Sequence, residues 1–78
     1  MRVTIAKVSE KLFDGEAKEL IVPGRDGVLT ILPHHMPLVT TLKEGVVRVK
    51  VSAESDSVSF PIEGGVLEVS NNHATVLL

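Results

Sequence analysis

Apolar side chains in this chain recur at every second residue, and turn residues stand at nearly every break in that alternation. No window of about eleven residues fits a 3.6-residue period better than a period of two. A chain patterned this way makes strands, because alternate side chains of an extended backbone point to opposite faces. Strands at roughly 8–12-residue spacing, with turns between them, predict a β-sandwich or barrel. The 78 residues are expected to form a single domain spanning residues 1–78. A domain this small buries only about 60–65% of its unfolded surface, so its core is thin. Thirteen valines and nine leucines supply that core, Phe13 and Phe60 are the only aromatics, and cysteine is absent. Aliphatic packing must therefore hold the fold together, with no disulfide or thiolate metal site to staple it. A cysteine-free chain fits a reducing compartment.

Residues 2–8 begin as an alternation through Val3 and Ile5, then slip phase to Ala6 and Val8, which predicts a bulge. A short strand at 11–13 is followed by Asp14-Gly15, read as a turn. Residues 16–22 alternate. Residues 27–32 are nearly continuous apolar, which fits a strand covered on both sides. A Thr- and Val-rich strand is expected at 38–42. In 46–52, Val47, Val49 and Val51 oppose Arg48 and Lys50, predicting a half-buried strand with one wet face. Residues 53–57 read as a polar hairpin loop. Pro61 places strand 58–62 at an edge, because proline cannot donate to a ladder. Glu63-Gly64-Gly65 calls for a turn with unusual dihedrals, and Asn71-Asn72 for a two-residue hairpin between strands 66–70 and 73–78.

Net charge is −2, with Lys and Arg scattered along the chain. A nucleic-acid surface needs a basic face, and single-strand binding adds stacking aromatics, so neither is expected. No apolar run approaches the roughly 20 residues of a membrane span, and the amino-terminal segment lacks the apolar core of a signal peptide. The expectation is a soluble, cytosol-facing chain.

Few residues tempt a chemical reading. Adjacent His34 and His35 would point to opposite faces of a strand, which disfavours a shared metal, and His73 is distant in sequence. The serines cluster in 52–59, where turn chemistry accounts for them better than a nucleophile triad. Glu54 with Asp56, and Asp14 with Glu16, read as solvated loop carboxylates. Gly24 and Gly27 are not a phosphate loop, since no Gly-Lys-Ser/Thr and no helix follow. Catalysis and metal or cofactor binding are therefore not expected. Val28, Leu29 and Met36 differ, because apolar residues beside turns serve as contact surface as readily as core.

The run Val22-Pro23-Gly24-Arg25-Asp26-Gly27-Val28-Leu29-Thr30-Ile31-Leu32-Pro33-His34-His35-Met36-Pro37 presents two loops of defined shape, the second stiffened by flanking prolines. It resembles the amino-terminal domain of the epsilon subunit of F-type ATP synthases. Residues 8–13 with Asp14-Gly15 look like that family's opening strand and F-x-G step. Pro33-His34-His35-Met36-Pro37-Leu38 looks like its P-G-H-A-P-L motif, with His35 on the motif histidine. Leu42-Lys43-Glu44-Gly45-Val46-Val47-Arg48-Val49 resembles its L-K-P-G-V-V-R-I hairpin. Gly64-Gly65-Val66-Leu67-Glu68-Val69 and His73-Ala74-Thr75-Val76-Leu77 resemble its G-G-I-L-E-V and closing V-T-V-L strands. The resemblance runs along the whole chain.

What it implies is an all-β fold, a flattened antiparallel β-sandwich of about ten short strands, without the family's carboxy-terminal helical hairpin. It also implies a non-catalytic central-stalk (rotor) subunit joining the gamma shaft to the membrane c-ring, so that ion-driven rotation is coupled to ATP synthesis. Its place would be the cytoplasmic face of a bacterial cell membrane, or the equivalent organelle face, held there only through the complex. No cofactor is implied, and the isolated domain is expected to be monomeric. By the same resemblance Arg25, Asp26, Gly27, Val28 and Leu29 face the c-ring, and His35, Met36, Leu38 and Thr40 face gamma. The chain departs from the family at Val28, Thr30, His34 and Met36, where an acidic residue, Gly, Gly and a small residue are usual. A free-standing β-sandwich adaptor or carbohydrate-binding module is the alternative, although sugar stacking favours exposed Trp or Tyr, and the chain has neither.

Overall fold

A computed structural model describes residues 1–52 and 57–78. The described residues form nine strands: β1 (Arg2–Lys7), β2 (Glu10–Glu16), β3 (Glu19–Gly24), β4 (Gly27–Ile31), β5 (Leu38–Leu42), β6 (Gly45–Lys50), β7 (Val58–Ile62), β8 (Gly65–Ser70) and β9 (His73–Leu77). No helix stands among them. The strands hydrogen-bond in the order β2-β1-β9-β8-β5-β3-β6-β7, with β4 on the other side of β3. All ladders are antiparallel except β1 with β9. The β5–β3 step is a single bridge, Gly24↔Leu42. Here the sheet curls over, so that β2-β1-β9-β8-β5 lies across from β4-β3-β6-β7. The all-β sandwich read from period and turns is the fold observed.

Between the layers lies one aliphatic cluster. Val3 and Ile5 of β1, Leu20 and Val22 of β3, Val47 and Val49 of β6, Leu67 of β8 and Val76 of β9 are wholly buried, with Ile31 and Val69 nearly so. Burying each of these side chains contributes about 1.5–3 kcal/mol. Phe13 and Phe60 pack at its margin, edge to face, with ring centroids 6.4 Å apart.

Several local expectations hold. The phase slip in β1 is a register shift between Ile5 and Ala6, where Leu12 of β2 is the extra residue. Pro61 sits on β7, which among the described residues pairs only with β6. Asn71 and Asn72 take φ of 51° and 59°, the left-handed pair of a tight hairpin closed by Ser70↔His73. Gly65 has φ 152°, and a Cβ there would lie 2.5 Å from the Leu77 carbonyl oxygen, so the β8–β9 ladder requires glycine.

Others are corrected. Asp14-Gly15 is not a turn but lies inside β2, and the chain reverses at Val8-Ser9 instead. Asp14 is held on the strand by Arg2 and Lys11, and Gly15 pairs with Val3. The alternation at 16–22 is two strands, because Ala17-Lys18 carries the chain from one layer to the other. The Ala17 amide donates to the Met1 carbonyl (2.8 Å) and the Lys18 amide to the Lys50 carbonyl (2.8 Å). Residues 27–32 are not covered on both sides, since β4 is an edge strand whose Val28 and Thr30 face solvent. Val51 lies past the end of β6 and is exposed. The loop expected between the flanking Pro33 and Pro37, by contrast, is observed, with His34 in a turn and His35 outside any strand. The loop expected at 53–57, with Glu54 and Asp56, falls outside the described residues except for Ser57.

Candidate functional site

The strand directions sort the connections that lie wholly among the described residues to one of two ends. At one end stand the β3–β4 turn (Arg25-Asp26), the β1–β2 turn (Val8-Ser9), Lys43-Glu44 between β5 and β6, and Glu63-Gly64 between β7 and β8. At the other stand the segment 32–37, Ala17-Lys18 and Asn71-Asn72. The two groups predicted from the resemblance therefore occupy opposite ends. Arg25, Asp26 and Gly27 are at the first, His35 and Met36 at the second, and β4 and β5 run between them. A five-residue strand spans about 16 Å, within a molecule of 28 × 23 × 23 Å.

The first end is rigidly held. The Arg25 amide donates to the Thr41 carbonyl (3.0 Å), and the Lys43 amide to the Pro23 carbonyl (2.9 Å), so the hairpin tip is stitched to β5. A Cβ at Gly24 would meet the Gly27 carbonyl oxygen at 2.7 Å and a Leu29 methyl at 3.0 Å, so only glycine allows this closure. Arg25, Asp26 and Val28 are exposed, with Val28 71% accessible, while Leu29 is half-buried against the core. A shallow depression is lined by Gly24, Arg25, Asp26, Gly27, Val28, Leu29 and Thr40. Thr40, assigned to the other group, thus belongs physically with this one. A wider groove opens at the same end between Lys7, Val8, Glu44, Val46, Pro61, Glu63 and Leu78.

The second end turns at Pro33-His34. His34 has φ 65°, a left-handed conformation that explains why the resembled motif favours glycine there. Its amide donates to Asn72 Oδ1 (2.8 Å), tying the turn to the β8–β9 hairpin. His35 Nδ1 donates to the Met36 carbonyl (2.8 Å), which fixes that tautomer, and Met36 projects 73% exposed. On β5 the alternation sends Leu38 and Thr40 toward the core side, beside buried Val69 and Leu67. Val39 and Thr41 are the outward residues, and Val39 is 70% exposed. Sequence reading missed Val39; the pairing of the neighbouring Leu38 and Leu42 with one face was the available signal.

The outer face beyond β5 also differs from a wet sheet. Register places Thr41, Val66, Leu77 and Ala6 in one row across β5, β8, β9 and β1. Farther along, Asp14 joins Arg2 (2.8 Å), Lys11 (3.2 Å) and the Thr4 hydroxyl (3.2 Å), and Thr4 Oγ1 in turn meets His73 Nε2 (3.0 Å). The hydrogen bond from Arg2, then that from Lys11, holds the Asp14 carboxyl below its ordinary pKa. Among the described residues, no cluster of three or more His, Asp or Glu has metal-holding geometry. No helix among them is long and apolar enough to cross a membrane.

The two loop groups stand at opposite ends of the sandwich, and no Asp, Glu, Lys or Arg occurs from Gly27 to Leu42 between them. Comparison with known proteins gives the family. Residues 1–78 match the family model described as the ATP synthase, Delta/Epsilon chain, beta-sandwich domain. The chain belongs to this family. It is 42% identical over 77 residues to the ATP synthase epsilon chain of Janthinobacterium sp. (strain Marseille), and 40% identical to that of Herminiimonas arsenicoxydans. Each alignment takes in 99% of this chain and 55% of the relative, so the chain spans about half the length of the curated relatives it matches. Its fold superposes with a TM-score of 0.86 on a chain of the Euglena gracilis mitochondrial ATP synthase, OSCP/F1/c-ring in rotational state 1, at 18% identity, covering 96% of this chain and 48% of that one. A chain of the Tetrahymena thermophila mitochondrial ATP synthase central stalk/c-ring gives a TM-score of 0.81, also at 18% identity, covering 99% and 61%.

Proposed function

We propose that this domain is the rotor-side coupling piece of an F-type ATP synthase. It joins the gamma shaft to the membrane c-ring, so that ion-driven rotation reaches the sites of ATP synthesis without slip. It performs no chemistry itself, takes no cofactor, and works at the cytoplasmic face of the membrane (or the equivalent organelle face) through the complex alone. Residues 1–78 act as one domain, monomeric when isolated. The observation that carries this reading is the disposition of the two loop groups at opposite ends of one sandwich, in a chain whose curated relatives named above are ATP synthase epsilon chains.

The mechanism is mechanical. Arg25, Asp26, Gly27, Val28 and Leu29 meet the polar loops of the ring, with Val28 supplying apolar contact where the family usually places an acid. His35 and Met36 meet the shaft, supported from beneath by Leu38, whose packing on β8 sets the position of β5, while Thr40 lies farther along β5 at the ring end. Torque entering at one end crosses β4 and β5 to the other. A close-packed aliphatic core deforms little under such load. Each specific interface needs roughly 800 Å² per partner, against a total accessible surface of 4853 Å². Two partners therefore occupy a large part of the molecule, in keeping with the exposed Val28, Met36 and Val39. Co-purification of the chain with a gamma subunit and a c-ring tests the proposal. Retention of both partners supports it; turnover or glycan binding by the isolated chain, without either partner, overturns it.

A further inference from the structure

The curled sheet leaves edges, and they are not alike. β2 is blunted by Glu10, Lys11, Asp14 and Glu16 and by the bulge at Leu12, and β7 by Pro61. β4 carries no such device: its sequence is Gly-Val-Leu-Thr-Ile, and no Asp, Glu, Lys or Arg occurs from Gly27 to Leu42. Among the described residues, β4 pairs only with β3. Val28 stands opposite Pro23, which has no amide, so the ladder bonds of β4 run through Gly27, Leu29 and Ile31. The amides and carbonyls of Val28 and Thr30 then point off the open side. Both residues are exposed, and among the described residues no further strand pairs with β4 on that side.

We infer that the open edge of β4 is a strand-addition site, taking an extended, uncharged segment of the gamma-type shaft partner as an antiparallel neighbour. A row of outward N–H and C=O groups at two-residue spacing is complementary only to another backbone. The uncharged flank selects a segment that likewise carries apolar or small polar side chains, since an unpaired charge placed against it would be desolvated without a partner. The edge leads directly into segment 32–37, where His35 and Met36 are proposed to meet the shaft, so the two contacts form one continuous surface. The inference rests on the shaft-binding reading and specifies how that contact is made.

Amide hydrogen exchange by NMR tests it, using the isotopically labelled chain alone and bound to a gamma subunit. In the free chain Leu29 and Ile31 exchange slowly, and Val28 and Thr30 fast. On binding, the Val28 and Thr30 amides slow by more than about tenfold. A complex in which those two amides exchange as in the free chain overturns strand addition while leaving the shaft reading intact. Absence of any complex overturns both. Thr30→Pro provides a second measurement, because it deletes an outward amide and no β3–β4 ladder bond. It is expected to keep the melting transition close to that of the parent chain and to weaken gamma binding by about tenfold or more. A folded Thr30→Pro chain with unchanged gamma affinity counts against the inference.

Discussion

Val28→Asp separates the roles of one side chain. Val28 is 71% exposed at the start of edge strand β4. Only about three-tenths of its surface is covered, so of the 1.5–3 kcal/mol that full burial of a valine contributes, about 0.5–0.9 kcal/mol is lost. Poorer strand propensity adds up to about 1 kcal/mol. In a domain this size 1 kcal/mol moves the melting temperature by roughly 4–8 °C, so the mutant should melt about 2–15 °C lower and remain folded at 25 °C. Val22→Asp is the control: Val22 pairs with Leu29 from the adjacent strand but is wholly buried, and an unpaired carboxylate there should abolish folding. At a ring interface the Val28→Asp carboxylate becomes desolvated without a partner, which costs about 2–5 kcal/mol, or about 30-fold or more in affinity. Thermal melts of the isolated mutants and titration against purified c-ring provide the two readouts. A folded Val28→Asp chain binding the ring as tightly as its parent refutes the assignment of Val28 to the interface. A melting temperature lower by more than about 20 °C refutes its exposure.

The remaining outcomes concern the fold. Leu67→Ala should cost about 2–5 kcal/mol in urea unfolding, because Leu67 is wholly buried, whereas the exposed Val39→Ser should stay within about 1 kcal/mol. Gly65→Ala should destabilise by about 1–3 kcal/mol, and more than Gly27→Ala: both have positive φ, but only at Gly65 does the new Cβ collide with backbone. Asp14 has a folded pKa depressed below its unfolded value, so its contribution is present above the unfolded pKa and is lost as pH falls through the folded one. Asp14→Asn should therefore flatten the acid side of the stability profile and leave its shape at higher pH unchanged, as urea titrations at a series of pH values would show.

The sheet was legible because burial follows the backbone. Val47 and Val49, or Leu67 and Val69, announce one face of a strand by period alone, and Pro61 and Asn71-Asn72 carry backbone constraints that admit few placements. What sequence could not supply was which strands end a sheet. The apolar run 27–32 looked doubly covered because Val28 and Thr30 carry no charge, yet β4 is an edge, and that distinction depends on a partner strand elsewhere in the chain. Asp14-Gly15 looked like a turn because local propensity favours one. The ion pair to Arg2, the bond to Lys11 and the pairing of Gly15 with Val3 outweigh that propensity, and none of these long-range partners is visible locally.

The site was legible in part. The family motif located the turn at His34, but its reason, a left-handed backbone tied to Asn72, appears only in three dimensions. Leu38 and Thr40 belong to the right strand and to its inward side, so their neighbours Val39 and Thr41 present the outer surface. The placement of Arg25-Asp26 and His35-Met36 at opposite ends followed from strand direction, which the turn pattern implied once β4 and β5 were both single strands without a bend.

Rotation is the most direct test of the central claim. The chain has no cysteine, so Ser59→Cys on exposed edge strand β7 offers a unique attachment point away from both proposed contact groups. A marker coupled there, in an assembled complex with its stator fixed to a surface and hydrolysing ATP, is predicted to turn together with the shaft. A marker that stays stationary while the shaft turns would contradict the account.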